Sequence, residues 1–311
     1  MSRPVSVFLL TSAMLGGGLS LFWHRTNKQG GESQIHVNEP FVDASSSARI
    51  EEPRKNRLQV LTSGVSGEAL TRALEIADTI AREHTAFSDA EASHLLDFVS
   101  GSKPSGLTRS DWQHLVNSLF NALRTRPAAP ARERLSLVFA NMAEKDADPV
   151  MRLYALQHIS FWLPHEQHPA RKQQLADLLL RMSQAGDQAG CATMVMSDLQ
   201  RAGSLPQNQE TNTMIDQAAL RLASDPDAVT TARVSAIHTL ADRGQTESLP
   251  ELRSIAMARH EHIVLRKAAI FAIGRLGNLS DDRDRLKRLA SEHRRLAQAA
   301  EPAIQSLVSR K

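Results

Sequence analysis

The 311-residue chain carries 37 Lys and Arg against 34 Asp and Glu, a formal net charge of +3, and only 4% of it is aromatic. A core so short of aromatic residues must be built from Ala, Leu, Ile, Val and Met, which favours closely packed helices; strictly alternating β-branched runs are missing, so strands have little support. With 15 glycines, 13 prolines and one cysteine, Cys191, the composition excludes a collagen-like chain, a wholly disordered one and an internal disulfide.

Residues 5–23, "VSVFLLTSAMLGGGLSLFW", are uncharged and mostly apolar. As a helix they would span about 28 Å, close to the hydrocarbon thickness of a bilayer. Arg3 precedes the stretch, His24, Arg25 and Lys28 follow it, and Trp23 suits an interfacial anchor. Residues 1–23 read as an uncleaved signal anchor, or as a signal peptide with Val5–Leu15 as its apolar region and "GGGLS" as its cleavage zone. Either reading puts the rest of the chain outside the cytoplasm. Residues 24–65 are polar, interrupted by Gly-Gly, Ser-Ser-Ser and two prolines, and read as a flexible stalk.

Amphipathic helices are predicted next over 66–84, 88–101, 108–126 and 130–145, with Ser88 and Thr108 as N-caps and "GSKPSG" at 101–106 as a turn. Residues 66–145 are expected to form atypical helical repeats or a cap over the first open face of an array.

From 146 to 311 one pattern recurs. Arg266 is followed by Ala269 at +3, Ile273 at +7 and Gly277 at +11; Arg233 has Ala236, Leu240 and Gly244 at the same offsets. Ala192 leads Val195, Leu199 and Gly203; Arg152 leads Ala155 and Ile159; Ala297 leads Ala300 and Ile304. Offsets +3 and +7 share one helix face, so each anchored helix carries a buried stripe. Ala at +3 lets a neighbour come close, and Gly at +11 suits a left-handed C-cap. Second helices are predicted between the anchored ones, over 168–184, 210–224, 247–259 and 281–293. The unit is a repeated helix–turn–helix.

"D-P-V-x-R-x-x-A-x-x-x-I" at 148–159 and "V-L-R-K-A-A-I-F-A-I-G-R-L-G" at 264–277 resemble HEAT repeats, in particular the short Ala-rich kind also found in phycobilisome-lyase-type HEAT proteins. The resemblance covers about 146–309 and implies a right-handed α-solenoid, all-α in class. It also implies a ladder of Asp–Arg pairs between adjacent repeats, for which Asp148/Arg152 and Asp227/Arg233 are the candidates. His262 stands where the Asp of the pattern belongs, and positions 192 and 297 lack the Arg.

Residues with chemical potential fit structural roles better. Nothing near Cys191 would lower its thiol pKa. His165 and His168 do not form H-E-x-x-H, and they sit in a turn, as does "HEH" at 260–262. "SGSK" at 100–103 satisfies S-x-x-K without the companion S-D-N or K-T-G. Nucleotide-binding Gly-rich loops and G-x-S-x-G are absent from the sequence. Trp112, Phe161 and Trp162 have apolar neighbours at helical spacing and are expected to pack between helices. Arg152, Arg233 and Arg266 recur at one place in the repeat, which argues for a structural role.

The expectation is therefore a non-catalytic adaptor or scaffold outside the cytoplasm. It has no catalytic, cofactor or metal residues, touches the membrane through its N-terminal segment, and uses an extended surface to bind an unidentified protein. From Arg253 to the C-terminus 13 Lys and Arg face 6 Asp and Glu, which leaves 24 against 28 for the rest. Arg283, Arg285, Lys287, Arg288, Arg294 and Arg295 are the candidate contacts for an acidic partner. Arg283 and Lys287 share a helix face, and Arg288 and Arg295 are expected to share another, while Asp281, Asp282 and Asp284 partly offset the charge. The alternatives are a nucleic-acid-binding or DNA-glycosylase-type HEAT protein, disfavoured by the N-terminal segment and by the lack of an aromatic and carboxylate pocket, and a chromophore-lyase-type subunit, which rests on repeat resemblance alone.

Overall fold

The computed structural model describes Thr79 and residues 87–125 and 129–310. Among the described residues there is no strand, and the chain is helical almost throughout. In order the helices are α1 (Asp89–Ser100), α2 (Arg109–Thr125), α3 (Ala129–Lys145), α4 (Pro149–Trp162), α5 (Pro169–Gln184), α6 (Ala189–Arg201), α7 (Gln209–Ser224), α8 (Thr230–Asp242), α9 (Leu249–Met257), α10 (Ile263–Leu276), α11 (Leu279–Glu292) and α12 (Arg294–Ser309). The apolar stretch 5–23, the stalk and nearly all of the predicted helix 66–84 lie outside the described residues. No described helix is long and apolar enough to cross a membrane.

Side-chain acceptors set the helix starts. Ser88 Oγ accepts from the Glu91 N–H and Glu91 returns a carboxylate to the Ser88 N–H at 2.7 Å, a capping box. Thr108 accepts from the Asp111 N–H, Asp148 from Val150, Asn208 from Thr211 and Asn278 from Asp281. Each bond satisfies one of the N–H groups that a helix start leaves without a partner.

The described residues from 87 onward divide into two compact units between Leu179 and Leu180, within α5. In the first, α1 packs on α2 and α3, and α4 packs on α2 and α3, so alternate helices stack in two layers. Phe120 and Phe139 meet edge to face at 5.0 Å in its core, and Trp162 is fully buried with its indole N–H donating to Ser136 Oγ at 2.8 Å. Trp112 is buried against Phe98. Phe161 is half-buried, with the Arg124 guanidinium 4.4 Å above its ring.

In the second unit the anchored helices form one stack, α6 on α8, α8 on α10, and α10 on α12. The second helices α7 and α11 pack on α8 and α12, and α9 packs on α10. The recurrent offsets mark the buried stripe: Val195, Ala236, Ala269 and Ala300 are buried at +3, as are Leu199, Leu240 and Ile273 at +7. Ala155 and Ile159 hold the same places in α4 of the first unit. Ile304, at +7 in α12, is only partly buried. Two glycines bring the stack closer than alanine would. A Cβ on Gly190 would sit 2.4 Å from the Ala232 carbonyl oxygen, and one on Gly274 would sit 2.7 Å from Ala303 Cβ.

The glycines at +11 do not all act alike. Gly203 and Gly244 have φ of +74° and +72°, the left-handed geometry expected of a C-cap. Gly277 has φ −71° and ψ −179°, an extended conformation open to any residue. It is glycine for another reason: a Cβ there would lie 2.3 Å from the Asp282 carboxylate.

His158 lies wholly inside the first unit, its ring stacked on Phe139 at 5.4 Å and its Nε2 3.1 Å from Asn117 Oδ1. Burial, helped by the Arg124 charge, pushes its pKa down to about 3. The native ring therefore stays neutral where an unfolded histidine takes a proton. The stability this neutrality supplies is complete above about pH 6.5 and is lost as pH falls toward 3.

Two measurements check these assignments. Ala269→Asp places an unpaired carboxylate on the buried stripe and is expected to cost about 4 kcal/mol, read by urea denaturation. A midpoint equal to that of wild type would show that the register is misassigned. His158→Phe keeps a flat ring on Phe139 but cannot be protonated. Between pH 6 and 5 wild type should lose stability faster than this variant by about 1.4 kcal/mol per pH unit. Parallel stability curves would refute the assignment.

Candidate partner-binding surface

The surface around α10–α12 is shaped from beneath by arginines. Arg233 in α8 and Arg266 in α10 are 6% and 5% exposed, so their guanidinium groups need partners inside the protein. Both find them in the same way. Arg233 Nε donates to the Ala223 carbonyl at 3.1 Å and Arg266 Nε to the Ala256 carbonyl at 2.9 Å, each at the end of the preceding second helix. The remaining edge takes a carboxylate one repeat on: Glu261 at 3.0 and 2.8 Å for Arg233, Glu292 at 3.1 Å for both Nη atoms of Arg266. Such two-pronged pairs fix direction as well as distance.

These rungs differ from the Asp–Arg pairing that the resemblance implies. Arg233 takes Glu261 as its carboxylate, and Asp227 is exposed. Asp148 accepts from Arg109 Nε and Gln113 Nε2, both at 2.6 Å, while Arg152 donates to the Asp146 carbonyl at 2.8 Å. The Arg109 hydrogen bond, with those from Gln113 and the Val150 N–H, holds the Asp148 carboxyl far below the usual carboxylate range against the opposing effect of burial.

The second helices are tied separately. Arg253 in α9 donates through Nε and Nη2 to the two oxygens of Asp282 in α11, at 2.8 and 2.9 Å. Asp282 is completely buried and also accepts from the Asn278 N–H at 3.2 Å. It faces inward, so it does not offset surface charge as the sequence suggested; Asp281 and Asp284 are the exposed ones. Arg243 joins three helices by reaching Asp216, Gln200 Oε1 and Asn212 Oδ1.

All six candidate cations are exposed. Arg283, Arg285, Lys287 and Arg288 lie on α11, whose buried residues are Asp282, Leu286 and Leu289. Arg294 and Arg295 open α12. Arg288 and Arg295 do not share a helix face. His293, with φ −157° and ψ 133°, ends α11, and its Nδ1 then accepts from the Arg295 N–H at 3.0 Å to start α12. The charge is thus divided between a helix face and a turn.

The chemically suggestive residues take structural places. Burial, reinforced by Asp198, pushes the Cys191 thiol up to about 12, which disfavours the thiolate at neutral pH. His165 lies in a 3-10 turn, and Glu166 beside it is buried, accepting from Ser136 Oγ and from the His168 N–H. Lys103 Nζ donates to the Pro104 and Leu107 carbonyls and closes the turn before α2. Among the described residues no three His, Cys, Asp or Glu side chains are grouped to hold a metal ion.

Sequence reasoning missed Glu261, Glu292 and Asp282. The first two had a signal: each stands five residues before the next anchor, 266 and 297. Compared with known proteins, the chain matches no family model and no curated protein.

Proposed function

We propose that this protein is a non-catalytic adaptor or scaffold that binds an acidic protein partner through its C-terminal basic surface. In this reading the helices form a right-handed α-solenoid of HEAT-type repeats. The repeats sit outside the cytoplasm, and residues 5–23 serve as membrane anchor or signal. The stacking of alternate helices within each unit and the buried +3 and +7 stripe support a repeat architecture.

One observation carries the binding assignment. The strongly buried arginines each have an internal carboxylate, whereas Arg283, Arg285, Lys287, Arg288, Arg294 and Arg295 all face solvent and form no ion pair among the described residues. Cations left facing solvent on a rigid scaffold steer and hold a partner of opposite charge. A protein partner fits better than nucleic acid, because residues 279–295 contain no Phe, Tyr or Trp to stack on a base, and Asp281 and Asp284 would oppose a phosphate backbone.

Reversal of Lys287 and Arg288 to Glu should weaken capture of the partner, crosslinked in extracts of the native host, without lowering the melting temperature. Wild-type capture should fall as salt rises. Capture that ignores both the reversal and salt would leave this charge with no binding role.

A further inference from the structure

The six cations are not equivalent, and the carboxylates around them show why. On α11, Asp281 lies one helical turn before Arg285, and Asp284 one turn before Arg288 and three residues before Lys287. Pairs at these spacings are neighbours on a helix surface and partly cancel; Arg285 and Asp281 do interact electrostatically. The turn is different. Glu292 is drawn inward by both Nη atoms of Arg266, and Glu261, in the turn between α9 and α10, by those of Arg233. The two carboxylates nearest these turns are committed to buried arginines.

The two turns are neighbours, since Glu292 also lies 3.6 Å from Arg259 Nε. The Arg259 side chain is 83% exposed. His260 and His262 are exposed in the first turn, and His293, Arg294 and Arg295 in the second. His262 and His293 cap α10 and α12 in the same way, with Nδ1 accepting from the N–H two residues on, at 3.3 and 3.0 Å. An imidazole that accepts at Nδ1 carries its proton on Nε2, so each ring offers a donor on an exposed side chain.

We propose that this edge, formed by Arg259, His260 and His262 of one turn with His293, Arg294 and Arg295 of the next, is the recognition centre for clustered carboxylates on an acidic protein segment. The proposal rests on the acidic-partner reading above and locates it. The buried rungs do two things at once: they join the repeats, and they engage the two carboxylates of the edge. The cationic and donor groups that face outward are three guanidinium forks and three imidazoles. Forks match carboxylates two oxygens at a time.

The test uses the full-length protein and a fluorescently labelled synthetic peptide with clustered Glu residues, titrated at low salt. Arg259→Gln with Arg294→Gln and Arg295→Gln removes three charges from the edge; Arg283→Gln with Lys287→Gln and Arg288→Gln removes three from the helix face. The edge triple is expected to weaken binding about tenfold and the helix-face triple by less than about threefold. His262→Asn with His293→Asn keeps a good N-cap but loses both Nε2 donors. It should weaken binding about threefold at an unchanged melting temperature. Equal losses for the two triples, or a larger loss for the helix face, would overturn the edge assignment and leave the acidic-partner reading standing. Failure of wild type to bind the peptide would overturn both. Tighter binding of a DNA duplex of equal charge, with the same edge dependence, would overturn the choice of partner.

Discussion

A guanidinium withdrawn from water has to be matched along every edge. Arg233 and Arg266 meet it with one backbone carbonyl from the helix before and one carboxylate from the turn after. Three successive segments are therefore fixed by a single side chain. The stacking of α8, α10 and α12 supplies the apolar burial, but buried alanines alone would tolerate sliding. The rung sets the register. The Arg253–Asp282 pair applies the same logic to the second helices, and it dictates the glycine at 277.

The binding role proposed above draws on that arrangement. Carboxylates held in rungs are shared with buried arginines, so they offset less of the charge on their turns. Shape and charge then come from one set of contacts. A partner would meet a rigid edge whose donors are already positioned, which lowers the ordering cost of association.

The helices were legible in the sequence because their signals are local. Ser88, Thr108 and the apolar spacing placed α1 and α2 within a residue of their ends, and the +3 and +7 offsets named the buried stripe. What escaped depends on distance in the chain. Glu261 is 28 residues from Arg233, and Asp282 is 29 from Arg253, so no local pattern joins them. Gly277 was legible as a helix stop but not as the space for a buried carboxylate. The end of α11 near His293 was legible in the predicted span 281–293, but not that this break takes Arg295 off the face of Arg288. The six cations were legible as charge; their division between a self-offset helix and an open turn was not.

The claim that the rungs hold the repeats in register is tested most directly by a double-mutant cycle on Arg266 and Glu292. Arg266→Met, Glu292→Gln and the pair are compared with wild type by urea denaturation. Since Glu292 keeps 25% of its side-chain exposure, the coupling is expected at about 2 kcal/mol, below that of a wholly buried pair. Single-variant losses that simply add, with coupling near zero, would show that the repeats are held by apolar packing alone and that the rung is incidental.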